Sequence, residues 1–545
     1  MLRRIAVTAL ALALPAAALW AAGDGAVVRV VKTYETKTKG DWTVYTNANE
    51  IRDIAVTPDR RYVWSATGGG VTRFDVSEET FTKYTTLDGL RDSATTEIEI
   101  DEAGRVWVDT LSGPCVFAGG TWRATETFEP MPRRRTEISY AVEGAGGKPV
   151  WISWKPTGGG LEVTTDGEKK VLRTQDTLDS NMIWGGGQDA DGRMWFATWA
   201  RSNYVFKLVD GEFVKTVGGP ACGIGVDRDG QMKHPKTGHY WFAMQRCRPL
   251  DGPDKGKNVG KGIVEFDGER WKNMTREIGL GGGSPDQVRY DLDGNVWVST
   301  HGGLWSWDGE KVTKYNDQMP VTKSLSNYPS RKKGIVWVAT DGGPSRVEDG
   351  KFHCWTIDGL ASRTPEGVKI VEAEKIPFVG YRDHGDKKWY DYRPVAEDGN
   401  GWVWYGSSQG LDAWTGEKWL HFRPVSQRPT DNFDQEVWAK STDPKVLSHG
   451  YVEFLWPDHT QGTWFATLRG GISAFDGRPD AQGKIDPADF SRWHHFHTAD
   501  GLVSEAGWFV MVDKDNTKWF GTVGGISKYT GPITAGASPK PQEKK

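Results

Sequence analysis

The sequence is defined first by what it has little of. Only four cysteines occur among its 545 residues, and none forms a C-x-x-C-H run, which excludes covalent haem. No glycine-rich phosphate loop and no G-x-S-x-G elbow is present, which argues against a nucleotide enzyme or a serine hydrolase. No long Ala/Leu/Glu/Lys stretch suggests a helical domain. Charge of one sign is also missing. The formal net charge is -4 with both signs interspersed, so nucleic acid is not an expected partner. Beyond the first residues, no segment is apolar enough to cross a membrane.

What the chain does have is tryptophan and glycine, 28 and 68 residues. Large rings with many glycines suit short strands joined by tight turns, because glycine adopts the positive φ such turns demand. The N-terminus carries an address. Arg3 and Arg4 precede an apolar run from Ile5 to Trp20 and then small residues, the layout of a secretory signal peptide. Residues 1–22 are read as that signal, with cleavage between Ala18 and Gly23; an uncleaved anchor is the alternative.

Internal repetition is the main signal. A β-branched or apolar residue, Trp, an apolar or small residue and a small or hydroxyl residue recur around Trp64, Trp107, Trp151, Trp195, Trp241, Trp297, Trp337, Trp404, Trp464 and Trp519. Each copy parses into four strands, A to D. Asp291 onward shows this well: DLDGNVWVSTHGGLWSWDGEKVTKYN has an Asp/Gly turn, the Trp strand B, a Gly-Gly corner, strand C, an Asp-Gly turn and strand D. Antiparallel four-stranded units at intervals of forty-odd residues describe the blades of a β-propeller. The expected fold is therefore all-β, a propeller over residues 41–530 with about ten blades in one ring; two smaller propellers are the alternative. The last copy lacks a D strand, and Trp42 to Thr46 forms an orphan strand expected to complete it. Residues 531–545, rich in Pro and Lys, are expected to be a disordered tail.

These repeats resemble the two-component-regulator propeller repeats of bacterial periplasmic sensors. The resemblance rests on the D-x-x-G-x-hydrophobic-Trp strand, the Gly-Gly corner and the connections Asp88-Gly89-Leu90, Asp358-Gly359-Leu360 and Asp500-Gly501-Leu502. It implies a periplasmic ligand-binding propeller. In such sensors the propeller precedes a membrane helix and a signalling module. Neither follows here, so the expectation is a stand-alone binding protein, with a separate membrane-bound signalling partner as one option.

Function in a propeller falls on the loops of one face, where D–A and B–C connections surround the central channel. Corner residues vary from copy to copy: Trp199, Arg201, Arg246, His301, Asp341, Gln409 and Arg469 are the candidate ligand-binding residues. Strand A lines the channel and carries charge at Glu97, Glu99, Arg289 and Glu453. Paired carboxylates there suit general acid–base chemistry, although a water-filled channel tolerates charge without catalysis. The D-x-D-G turns at Asp189, Asp227 and Asp291 read as hairpin turns, because a calcium loop needs further oxygen ligands. His494, His495 and His497 alternate across a strand and do not converge. Cys222 and Cys247 lie on neighbouring strands of the fifth unit and are expected to pair in an oxidising compartment.

The favoured reading is an exported, non-catalytic propeller that binds a small molecule, glycan or protein, with no cofactor and no metal. The rival is a propeller lyase or hydrolase using channel carboxylates, Arg and His.

Overall fold

The computed structural model describes residues 20–538, apart from 22–26, 130–138, 144–148, 155–159, 177, 179, 199–203, 220, 281–283, 321–322, 365–366, 372–377, 385–386, 426–438 and 440. Ten successive antiparallel four-stranded units follow one another along the chain. The first runs Ile51–Val56, Tyr62–Thr67, Gly70–Asp75 and Thr80–Tyr84. Each strand pairs with the one before it.

Local chemistry explains the recurring pattern. After the Trp strand, a hydroxyl closes the corner: Thr67, Thr300, Thr340 and Thr522 each donate to the carbonyl three residues on, at 2.7 to 3.0 Å. The last corner glycine is obligatory. At Gly70, φ is 122° and an added Cβ would lie 2.1 Å from the Tyr84 carbonyl. Before the Trp strand, the turn aspartate acts as a clasp. Asp291 accepts the N–H groups of Asp293 and Asn295 with one oxygen and the Trp297 indole N–H with the other. The same indole-to-aspartate bond, 2.8 to 3.0 Å long, joins Trp107 to Asp101, Trp195 to Asp189, Trp404 to Asp398, Trp464 to Asp458 and Trp519 to Asp513. The D-x-D-G turns at Asp189, Asp227 and Asp291 thus serve as hairpin turns, their carboxylates held by the chain's own N–H groups. In the fifth unit a longer turn, Gln231 to His239, separates Asp227 from Trp241, whose indole N–H has no partner among the described residues.

The units do not make one ring of ten. Units four to ten place their A strands side by side: Ile183–Gln188, Ala221–Ile224, Pro285–Tyr290, Ser324–Pro329, Tyr392–Glu397, Val452–Pro457 and Gly507–Val512. Each adjoins the next, and the last adjoins the first, so seven sheets surround one axis. Trp42–Tyr45 is hydrogen-bonded to Ile526–Tyr529 and supplies the missing D strand of the tenth unit. Trp42 is buried there against Tyr529, Phe496 and Phe520.

The first three units lie outside that ring and form a wing. The first sheet packs one face on the third, through Ile54, Val63 and Phe81 against Ile152 and Leu161. Its other face meets the second, through Trp64 and Ala66 against Val108 and Trp122. The N-terminal stretch stitches the wing: Val27–Val30 runs parallel to Glu168–Arg173, and Thr33–Tyr34 parallel to Thr80–Tyr84. The wing is inserted in the chain between the closing strand and the first ring sheet.

Two further expectations are corrected. Residues 531–538 are not a loose tail: Ile533–Ala535 forms a 3-10 turn and Ala537 exchanges backbone hydrogen bonds with His495. Cys222 and Cys247 are free thiols, as are Cys115 and Cys354. Cys222 packs with Trp241 and Ile263, whereas Cys247 packs with Met244 and Phe242 on the opposite face of the sheet. The bulge at Cys222 turns its side chain away from the strand carrying Cys247. The proposed signal peptide falls mostly outside the described residues, although Trp20–Ala21 pairs with Val27–Val28.

Candidate functional site

A repeated irregularity builds the site. In all seven ring sheets the A strand carries one extra residue near its start, and its pairing with strand B slips there. The extra residues are Trp184, Cys222, Asp286, Leu325, Glu453 and Trp508, and in the eighth unit the slip spans Arg393 and Pro394, with Arg393 at the equivalent position. A bulge re-aims a side chain, and at the innermost strand the free direction is the axis. The contacts agree. The Trp184 and Trp508 rings lie 4.4 Å apart, and Arg393 reaches Glu453 at 3.3 Å. Arg393 also acts electrostatically on Asp286, two sheets away. One mouth of the ring is therefore lined by two indoles, an arginine, two carboxyl groups, a thiol and a leucine.

Burial governs the titration of these groups. It pushes the Asp286 carboxyl up to about 7, against the pull of Arg393. It also raises Glu453, although Arg393 opposes the shift. The Cys222 thiol is pushed up to about 11, by burial first and by Asp286 second, so it is a poor nucleophile at neutral pH.

Below this mouth the channel narrows to a packed interior. Phe454 and Phe509 lie 5.1 Å apart, and the Arg289 guanidinium stands 4.4 Å from the Trp456 ring. Glycine makes room for these side chains. An added Cβ at Gly186 would lie 3.1 Å from Phe509, and one at Gly187 would lie 2.4 Å from Met232.

The corner residues meet different fates. His301 is exposed and its Nε2 lies 3.3 Å from Asp286, so it belongs to the mouth. Asp341 accepts the Lys323 N–H at 3.1 Å and its carbonyl accepts the Tyr390 N–H, which makes it a loop anchor. His301 and Asp341 are thus engaged separately. Gln409 is buried, with its N–H donating to Ser407, and is not an open corner. Arg246 is exposed on the elongated strand Tyr240–Pro249. Arg469 lines another space altogether, a cleft of 830 Å³ between wing and ring with Arg91, His497 and Glu505. Trp199 and Arg201 lie outside the described residues.

Sequence reasoning named Glu453 and His301 but missed Trp184, Asp286, Arg393 and Trp508. A signal was available. These bulge residues stand eleven positions before Trp195, Trp297, Trp404 and Trp519, as Glu453 does before Trp464. The three neighbouring histidines do not gather. His494 faces the Gly536 carbonyl, His495 faces Ser473, and His497 pairs with Glu505 at 3.0 Å. Among the described residues no three His, Cys, Asp or Glu side chains converge as metal ligands. No helix among them is long and apolar enough to cross a membrane.

No protein-family model and no curated protein matches the chain. Several solved structures are similar. The extracellular domain of a putative one-component system from B. thetaiotaomicron has 14% identity and a TM-score of 0.30; 89% of this chain and 61% of that one are covered. PorZ, a surface component of the type-IX secretion system of Porphyromonas gingivalis, has 13% identity and a TM-score of 0.32, with 90% and 87% covered. Virginiamycin B lyase from Staphylococcus aureus has 12% identity and a TM-score of 0.36, with 64% and 94% covered. The chain spans about three fifths of the first of these. At such scores the architecture rests on the strand order and sheet contacts described above.

Proposed function

We propose that this is an exported, non-catalytic binding propeller whose ligand seats at the mouth formed by the seven bulge residues. The observation that carries the reading is the juxtaposition of the Trp184–Trp508 ring pair with the Arg393–Glu453 ion pair around one axis. Paired indoles offer a flat apolar platform, and the charged pair fixes polar groups at its rim. Trp508 is half-buried, and its indole N–H has no hydrogen-bond partner among the described residues. A glycan or another small molecule with one apolar face and several hydroxyl or carboxylate groups fits this chemistry. The N-terminal Arg3–Trp20 layout supports export, and a membrane-bound signalling partner fits the family resemblance.

The test is calorimetric titration of the full chain with neutral oligosaccharides, uronate-containing oligosaccharides and short peptides. Binding of one class is expected, with Trp508→Ala and Arg393→Ala each weakening it at least tenfold, about 1.4 kcal/mol or more. Binding that survives both substitutions would place the ligand elsewhere and sink the proposal.

A second reading has its own support. Asp286, held near 7 by burial and 3.3 Å from His301, is poised to exchange a proton near neutral pH. A lyase or hydrolase would use that pair. Turnover of any bound oligosaccharide, lost in Asp286→Asn while binding persists, would favour it over simple binding.

A further inference from the structure

The ring's axis holds a buried charge whose packing leaves N–H donors unpaired. Arg289 sits on the A strand of the sixth unit, 2% exposed. Its side chain reaches across the axis to Trp456 of the ninth unit, at 4.4 Å, and stands 5.8 Å from Tyr328 of the seventh. Its Nε and Nη1 have no hydrogen-bond partner among the described residues. Burial lowers its pKa only to about 10, so the guanidinium stays charged at neutral pH. The carboxylate that acts on it, Asp227, is engaged at its Oδ1 by the N–H groups of Asp229 and Gln231, both at 2.9 Å.

Two aromatic faces and the Asp227 carboxylate offset part of the cost of such burial, but a desolvated ion with unpaired donors is expensive. The space beside Arg289 suits a compensating ion. A cavity of 30 Å³ lies on the axis, and Arg289, Trp456, Phe454, Phe509, Trp184 and the Asp286 carboxyl group are among the residues that line it. Five of the seven ring sheets contribute to it. That volume is about the space of one water molecule or one monatomic ion. A water would accept the N–H donors yet leave the charge, whereas a halide answers both.

We propose that the axial cavity binds one chloride-sized monovalent anion on Nε and Nη1 of Arg289. The cavity shares Trp184, Cys222 and Asp286 with the mouth, but Arg289, which would hold the anion, is not one of the seven bulge residues. Anion binding to the folded state alone links halide concentration to stability.

Thermal melts of the full chain in sodium chloride, sodium bromide and sodium gluconate at equal ionic strength test this. Chloride and bromide should raise Tm by several degrees with saturation, while gluconate, too large for the cavity, should not. Arg289→Met, which keeps the length and removes the charge, should melt at the same temperature in all three salts. Crystals of the unmodified protein grown in bromide should show an anomalous peak within hydrogen-bonding reach of Arg289, a readout that stands even if the variant fails to fold. A halide-independent melt of the unmodified protein, a methionine variant that keeps the halide response, or no bromide peak at the axis would overturn the assignment.

Discussion

The ring and the wing are built from the same unit, yet they solve the burial problem differently. In the ring every sheet has a neighbour on both faces, and the closing strand Trp42–Tyr45 joins the chain's start to its last unit. In the wing the first sheet lies between the third and the second, and outer edges are covered by the N-terminal strands Val27–Val30 and Thr33–Tyr34. The clasp between turn aspartate and indole crosses this division, and in the ring Trp241 and Trp337 lack it. It recurs in the fourth, sixth, eighth, ninth and tenth units, and in the wing Trp107 makes it too, while Trp64 lies under Arg73. Closure lets each unit support the next. A short open stack depends on its borrowed edges.

Wing and ring are joined by a few buried polar groups. Asp92 of the wing is fully buried and accepts the Glu505 N–H and the Ser504 hydroxyl, both at 3.0 Å. Lys83 is buried against Glu35 and Asp176 and donates to the Thr46 carbonyl beside the closing strand. The joint is therefore largely polar, although Leu87 of the wing enters the ring's apolar core.

The contrast can be broken most severely at the two cores. Trp42→Ala should destabilise the ring by about 3–5 kcal/mol, and Phe81→Ala the wing by a similar amount. Hydrogen exchange should then show increased opening in residues 183–529 for the first variant and in residues 51–173 for the second. If both variants loosen the same amides equally, the two parts unfold as one unit and the division fails. A smaller effect separates the clasped turns from the open one. Asp458→Ala removes an acceptor used by Gly462, Thr460 and the Trp464 indole, and should cost about 2–3 kcal/mol. Asp59→Ala, at an exposed wing turn, should cost about 0–1 kcal/mol. Equal losses in chemical denaturation would show that the indole bond adds nothing.

The smallest effect concerns the joint. Burial raises Asp92 to about 6, so the folded chain binds that proton more tightly than the unfolded chain does. Its contribution to stability is full below about pH 4 and is lost as the pH rises through about 6. Asp92→Asn should flatten this dependence, changing the stability difference between about pH 4.5 and about pH 7.5 by about 1–2 kcal/mol. Parallel pH profiles for the two proteins would contradict it.

Much of the unit was legible in the chain. The Trp strands, the Gly-Gly corners and the completion of the tenth unit by Trp42–Tyr45 all follow from local patterns and a missing strand. The connection Asp88-Gly89-Leu90 also repeats as geometry: Asp88 accepts the Thr85 N–H as Asp500 accepts the His497 N–H, each three residues back. Asp358-Gly359-Leu360 breaks ranks, since Gly359–Thr364 opens an added hairpin. The mouth was harder to see. Corner loops vary visibly, whereas the bulge residues sit inside strands and show themselves only when pairing slips.

From its own order of residues this chain determined the four-stranded unit, because turns, corners and alternation are settled within forty neighbouring positions. Only the tertiary structure decided that seven units close while three stand aside, since near-identical sheet faces can meet any partner. It also decided that Trp184, Asp286, Arg393 and Trp508 share one opening and that Arg289 lies across the axis beneath it. Residues so distant in the chain come together only through the curvature of the whole ring.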